Sequence, residues 1–216
     1  TPAEAIRLGL QVDGPVVLVE TADCCGGGAA GDSAATLRAL LEASPNAPTV
    51  AMVVDPDAAA ACHRAGENAE VALELGHKLD PKWGSPLLIS GKVARLTDGR
   101  FRYSAGGIWV GQEATMGPAA VLRAGAVEVL IASRATYDWA DEQYRSAGMN
   151  PAQAKFIVAK NPMNYRMAYG AIARAVYILD TPGPTPATVR HVRYQHMRRP
   201  YFPLDADIPN LKPTIL

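Results

Sequence analysis

Two aspartates bracket a run of glycines near the start of the chain: Asp23, then Gly26-Gly27-Gly28, then Gly31-Asp32. Upstream, Val16-Val17-Leu18-Val19 has the composition of a buried strand, and an alanine-rich helical pattern follows the glycines. A strand, a glycine turn and a helix start together expose backbone N–H groups, and glycine lets a ligand approach the main chain closely. Gly26, Gly28 and Gly31 satisfy the G-x-G-x-x-G spacing of dinucleotide-binding turns. Asp55 ends the next apolar run, where a ribose-binding acid would fall. The flanking acids oppose phosphate. Two unit charges about 4 Å apart at an effective dielectric near 20 repel by roughly 4 kcal/mol. No Lys or Arg in the turn offsets that repulsion, and no Lys-Ser or Lys-Thr follows as a Walker turn requires. The turn suits a polar, neutral or cationic group, or the support of a metal site contributed from elsewhere. A purely structural alternative stays open, in which the glycines permit a tight crossing and Asp32 or Ser33 caps the helix.

Further candidates lie in the last third. Lys160 ends an apolar run and Asn161-Pro162 opens a helical pattern, so both would face the cleft beyond the carboxyl ends of the strands, with Tyr165 and Arg166 one turn on. Arg166 is the natural clamp for a substrate carboxylate. The alternative makes Asn161 an ordinary N-cap, Lys160 a solvated strand end and Tyr165 core. Asp180, before Thr181-Pro182-Gly183-Pro184-Thr185-Pro186, is expected to serve that turn. Trp83, Trp109 and Trp139 are scattered and are expected to pack. His63, His77, His191 and His196 show no H-E-x-x-H or related spacing, so each is read as structural rather than as a ligand. The adjacent Cys24-Cys25 pair and the odd count of three cysteines argue against a disulfide framework. Cys25 before the glycines gives only a hint of a thiolate nucleophile.

The elements that must position these residues follow from periodicity and punctuation. Ala3, Ile6 and Leu10 mark a short first helix ending near Gly14-Pro15. Val16 to Glu20 is the first strand, and Leu37, Leu40 and Leu41 form a helical stripe that stops at Ser44-Pro45. Val50 to Val54 is the second strand, and Asp55-Pro56 starts a helix that Gly66 ends. A β-rich section follows: Val71, Leu73 and Leu75 alternate, Leu87 to Leu96 leads to a hairpin signal at Asp98-Gly99, and Gly125-Ala126 joins Ala120–Arg123 to Val127–Ala132. Then come a helix over Asp138–Ala147, a strand Phe156–Lys160, a helix from Asn161 to about Arg174 and a strand Val176–Asp180. The fold class is α/β, a mixed sheet with strand–glycine-loop–helix units and a β-rich section over residues 70–132. Residues 1–186 form one domain and 187–216 an extended tail rich in Pro and Arg, including Pro209 and Pro213.

Composition bounds the partners. Twenty-one basic and twenty-one acidic residues cancel among 216, so no global field gathers nucleic acid or anionic lipid, although Arg190, Arg193, Arg198 and Arg199 make the tail locally basic. Apolar runs are far shorter than the roughly 20 residues that span a bilayer. Cytoplasmic residence is the default expectation, without nucleic-acid or membrane partners. The chain opens without Met, and it is expected to be a piece of something longer.

Taken together, Pro15-Val16-Val17-Leu18 through Asp23, Gly26-Gly27-Gly28 and Gly31-Asp32, with Asp180-Thr181-Pro182-Gly183-Pro184-Thr185, resemble the C-terminal domain of the microcystinase C family. Asp55-Pro56, Ala61-Cys62-His63, Leu96-Thr97-Asp98-Gly99-Arg100-Phe101 and Arg199-Pro200 extend the likeness over nearly the whole chain. The family's usual loop has Asn-Pro where this chain has Cys24-Cys25, which puts any substrate contact of that asparagine in question. The resemblance implies a zinc-dependent metallopeptidase or amide hydrolase acting on a small peptide-like substrate. It also implies that the zinc, one per subunit of the full-length protein, and the catalytic acid belong to a preceding N-terminal domain, in the same or a separate chain. On that basis Asp23, Gly26, Gly27, Gly28, Asp32, Lys160, Asn161 and Arg166 line the substrate cleft, and this chain alone is inactive. The competing readings are a dinucleotide-binding module and a purely structural or oligomerisation domain.

Overall fold

A computed structural model describes residues 1–43, 46–189 and 192–208. The Ser44-Pro45 helix stop, Arg190, His191, Pro209 and Pro213 lie outside the described residues.

The fold is α/β, built on an eight-stranded mixed sheet of order β10-β1-β9-β2-β8-β7-β4-β3. β1 (Val16–Glu20) and β2 (Thr49–Val54) are buried at every residue, as expected of strands covered on both faces. β1 pairs in parallel with β9 (Phe156–Ala159) and β10 (Ala175–Leu179), and β2 pairs in parallel with β9 and β8 (Val127–Ala132). The period of two then sorts the side chains. Val16 and Leu18 enter a core shared with α1 (Pro2–Gly9), α2 (Ala35–Ala43) and α3 (Pro56–Ala65), whereas Val17 and Val19 enter a second core with α4 (Glu142–Ser146) and α5 (Tyr165–Tyr169). The central strands are therefore sandwiched.

Beyond β8 the sheet turns antiparallel through β7 (Ala119–Ala124), β4 (Leu87–Thr97) and β3 (Glu70–Leu75). The β7–β8 hairpin closes at Ala124 opposite Val127, around Gly125-Ala126 as the sequence indicates. Asp55 caps α3 by accepting from the Ala58 N–H at 2.9 Å, and Gly66 ends that helix at φ +86°.

Three expectations need correction. The Asp98-Gly99 turn forms, with Gly99 at φ +72°, but β5 (Arg100–Arg102) does not fold back on β4. Beside that turn β7 holds one edge of β4 and Glu67 Oε1 takes the Leu96 N–H at 2.8 Å, and β5 pairs instead with β6 (Glu113–Thr115), a strand too short to show in the sequence pattern. The helix read over Asp138–Ala147 shrinks to α4, because side chains claim the groups of its expected first turn. The Asp138 carbonyl accepts from Asn161 Nδ2, and the Ala140 N–H donates to Glu142. The helix read from Asn161 to Arg174 shrinks to α5. Asn161 Oδ1 takes the Met163 and Asn164 N–H groups in an Asx turn, and the Arg174 N–H bonds Pro15 as the chain enters β10. Residues 192–208 contain no helix or strand, and among the described residues no helix is long and apolar enough to cross a membrane.

Candidate functional site: a glycine turn at a switch point

β1 and β9 lie side by side, and the chain leaves their carboxyl ends in opposite directions. From β1 it runs through α2 to β2, skipping β9 on one face; from β9 it runs through α5 to β10, skipping β1 on the other. Such a divergence opens the crevice in which open α/β sheets bind ligands. The glycine segment and Lys160-Asn161 meet there.

The step from β1 to α2 is longer than the direct turn of a nucleotide site. Thr21–Asp23 and Cys25–Gly27 form two 3-10 turns, and α2 begins only at Ala35. Asp23 is buried and turned inward. Its Oδ1 accepts from the Gly31 N–H at 2.8 Å, its Oδ2 accepts from the Ser33 N–H at 2.8 Å, and the Lys160 ammonium sits 2.5 Å from Oδ2. Lys160 also donates to the Ser33 carbonyl at 2.7 Å, and the Ser33 hydroxyl donates to Glu20 at 2.5 Å. Burial alone would lower the Lys160 pKa, but Glu20 and Asp23 overturn that and hold it above its ordinary value. Asp23 thus occupies the anion position of this loop. The Gly27, Gly28 and Ala29 N–H groups are likewise used, on the Cys24 and Cys25 carbonyls. Few amides remain to hold a diphosphate.

Above this anchor, Gly26, Gly27 and Gly28 are exposed. A Cβ at Gly26 would lie 2.1 Å from the Tyr137 ring and one at Gly27 would lie 2.7 Å from the Thr185 methyl, so only glycine fits between these neighbours. Asn164 Nδ2 donates to the Tyr137 hydroxyl at 2.9 Å, fixing the ring against the turn. Thr185 accepts from the Cys24 N–H at 3.0 Å and donates to the Thr21 carbonyl at 2.9 Å, so the Asp-Thr-Pro-Gly-Pro-Thr stretch is tied to the glycine turn.

The other expected site residues divide. Asn161 is buried in its Asx turn, and Arg166 is exposed on α5, its guanidinium 5.3 Å from the Tyr165 ring centre. Asp32 faces away from the crevice: its carboxylate accepts from the Leu79 N–H at 2.8 Å and the Asp80 N–H at 3.0 Å. It does not cap α2; Ser33 Oγ accepts from the Ala35 N–H at 3.3 Å. Asp55, the would-be ribose acid, is spent on α3, on the Gly76 N–H and on Lys78 at 2.9 Å. Burial pushes the Cys25 thiol up to about 12 and raises Cys24, which removes the thiolate reading at neutral pH.

The family model described as MlrC C-terminus matches residues 18–196. The chain belongs to the MlrC C-terminal family. It is 25% identical over 192 residues to microcystinase C of Sphingomonas sp., covering 88% of this chain and 36% of that protein. A crystal structure of a "Putative metallopeptidase" from Mesorhizobium sp. BNC1 superposes with a TM-score of 0.83 at 28% identity, covering 97% of this chain and 42% of that one. This MlrC C-terminal chain therefore spans well under half the length of both relatives.

The described side chains of this MlrC C-terminal domain do not fit a metal. Among the described residues no group of three or more His, Cys, Asp or Glu could hold one. His63 Nε2 lies 3.1 Å from the Ala119 carbonyl, and His77 Nε2 accepts from the Ala34 N–H at 3.2 Å. The crevice does hold an acid that sequence reasoning missed. Asp138 lines a cavity of about 10 Å³ with Lys160, Gln143, Tyr144 and Tyr169, room for about one water. Neighbouring atoms crowd its carboxyl, and burial pushes it up to about 7 against hydrogen bonds from its own N–H and from Asn161. Nothing in Tyr137-Asp138-Trp139 signals this, because the fold alone brings the segment over β9.

Proposed function

We propose that this domain forms one wall of the cleft of a metal-dependent amide hydrolase, opposite a zinc centre held by the part of the full-length protein outside this chain. The observation that carries it is the Gly26–Gly28 turn, exposed at the β1/β9 switch point and pinned from beneath by the buried Asp23–Lys160 pair. A turn without side chains lets an extended peptide backbone lie close to the main chain, and a pinned turn holds that backbone in one place. The relatives' names, microcystinase and metallopeptidase, agree with hydrolysis of an amide bond.

The chemistry of such an ion, an activated water and a polarised carbonyl, lies outside these residues. What this chain contributes is position. The Tyr137 ring and Thr185 flank the turn, Arg166 supplies an exposed cation on α5, and Asp23, Lys160 and Asn161 act from below by fixing the main chain. Asp32 acts one step further away, by holding residues 79–80 against the loop.

The test is hydrolysis of a panel of linear peptides by the zinc-loaded full-length protein, the same protein with Gly27→Val, and the 216-residue chain alone. The full-length protein should turn over, the variant should lose at least tenfold in kcat/KM with its zinc content unchanged, and the isolated chain should be inert. Turnover by the isolated chain, or full activity in a folded Gly27→Val protein, would overturn the proposal. Thermal stabilisation by NAD, NADP or FAD would instead favour a dinucleotide module.

A further inference from the structure

Along the turn that follows β10 lies a recess of about 860 Å³, within the usual range for small-molecule sites. The turn after β10 forms one side, and it is held against the β1 exit by Thr185 and by Gly183, where a Cβ would lie 2.1 Å from the Ala22 carbonyl. The recess thus shares the turn after β10 with the glycine turn.

Its lining has a definite chemistry. Trp83 and the rings of Pro182, Pro184 and Pro186 supply flat apolar surface. Among the described residues of the lining, the cations of Lys82 and Arg193 outnumber the carboxylate of Asp180. The Lys82 ammonium lies 4.8 Å from the centre of the Trp83 ring, which places a cation at the edge of the apolar surface. An apolar shelf edged by cations matches a flat hydrophobic group carrying a nearby anion.

We infer that this recess is a subsite for a peptide residue with an aromatic or large apolar side chain and a free carboxylate, the side chain on Trp83 and the prolines and the carboxylate between Lys82 and Arg193. The inference rests on the amide-hydrolase reading and adds which end of a peptide the domain holds. A carboxylate meeting both cations makes charge-assisted hydrogen bonds that an amidated end cannot make.

Ligand-detected NMR titration of the full-length protein with N-acetyl-L-phenylalanine and with its amide tests this directly. The acid should bind and the amide should bind about tenfold more weakly, a difference of about 1.4 kcal/mol. Trp83→Ala and Lys82→Glu should each weaken the acid about tenfold, whereas Trp83→Phe should keep most of the binding. Lys82 is exposed, so Lys82→Glu remains informative where Trp83→Ala unfolds. No binding to the wild type, equal binding of acid and amide, or indifference to Lys82→Glu would overturn the inference. Binding in this pattern without peptide hydrolysis would leave the subsite standing and sink only the amide-hydrolase reading.

Discussion

Asp23 and Asp138 share one crevice but live under opposite conditions. Asp23 has two backbone N–H groups and the Lys160 ammonium within hydrogen-bond distance, and its charge is fully answered. Asp138 is crowded by Tyr144, Tyr169 and Ala140 around a small cavity, and the Lys160 ammonium is committed to Asp23 and Ser33. Burial alone does not decide what a carboxylate can do; the distribution of compensating charge does. One acid has become a fixed part of the loop, and burial pushes the carboxyl of the other up to about 7.

The sharpest way to break this contrast is to remove the shared cation. Lys160→Met leaves Asp23 and Glu20 buried without their counter-charge, which is expected to cost about 3–5 kcal/mol in denaturant unfolding. Adding Asp23→Asn should recover part of the loss. A Lys160→Met protein as stable as wild type would show that the pair does not hold the loop.

Asp138→Asn should have a smaller effect, visible as a pH dependence. The folded-state pKa is raised from 3.8 to about 7, so the folded chain holds this proton more tightly than the unfolded one. The associated stability is fully present below about pH 3.8 and is lost as pH rises through about 7. The difference in unfolding free energy between Asp138→Asn and wild type should therefore shift in favour of the variant across that window. A pH-independent difference would remove Asp138 from the contrast. The smallest expected change is Gly28→Ala. Its Cβ would meet nothing within 4 Å, but φ is +93°, so a loss of about 1 kcal/mol from backbone strain alone is expected in thermal unfolding.

The sheet was largely legible because its signals are local. The apolar run Val16 to Glu20, the Asp55-Pro56 cap and the Gly125-Ala126 turn each specify their element without reference to the rest. The errors arose where a distant partner decides. β5 pairs with β6, a partner too short to read in the sequence, and α4 and α5 are short because Glu142 and Asn161 compete for the backbone. At the candidate site, the sequence located the acids but not their direction. Asp23 opposes phosphate more directly than by repulsion at the surface, since it already sits on the amides a phosphate would need. Asp32 and Asp55 carry the same charge and serve neighbouring loops. Asp138 could not be found from sequence, because its environment is assembled from β2, β9, α4 and α5.

Thr185 fastens the glycine turn from 161 residues downstream of Cys24, and both hydrogen-bonded neighbours of β1, β9 and β10, also come from the last third of the chain. During synthesis from the amino end, the first strand therefore waits for nearly the whole polypeptide before its edges are filled. A nascent chain stalled before Phe156 would expose Val16 to Val19 along both edges, the pattern that recruits chaperones or drives aggregation. The glycine turn is thus among the last parts of the domain to acquire its shape on the ribosome.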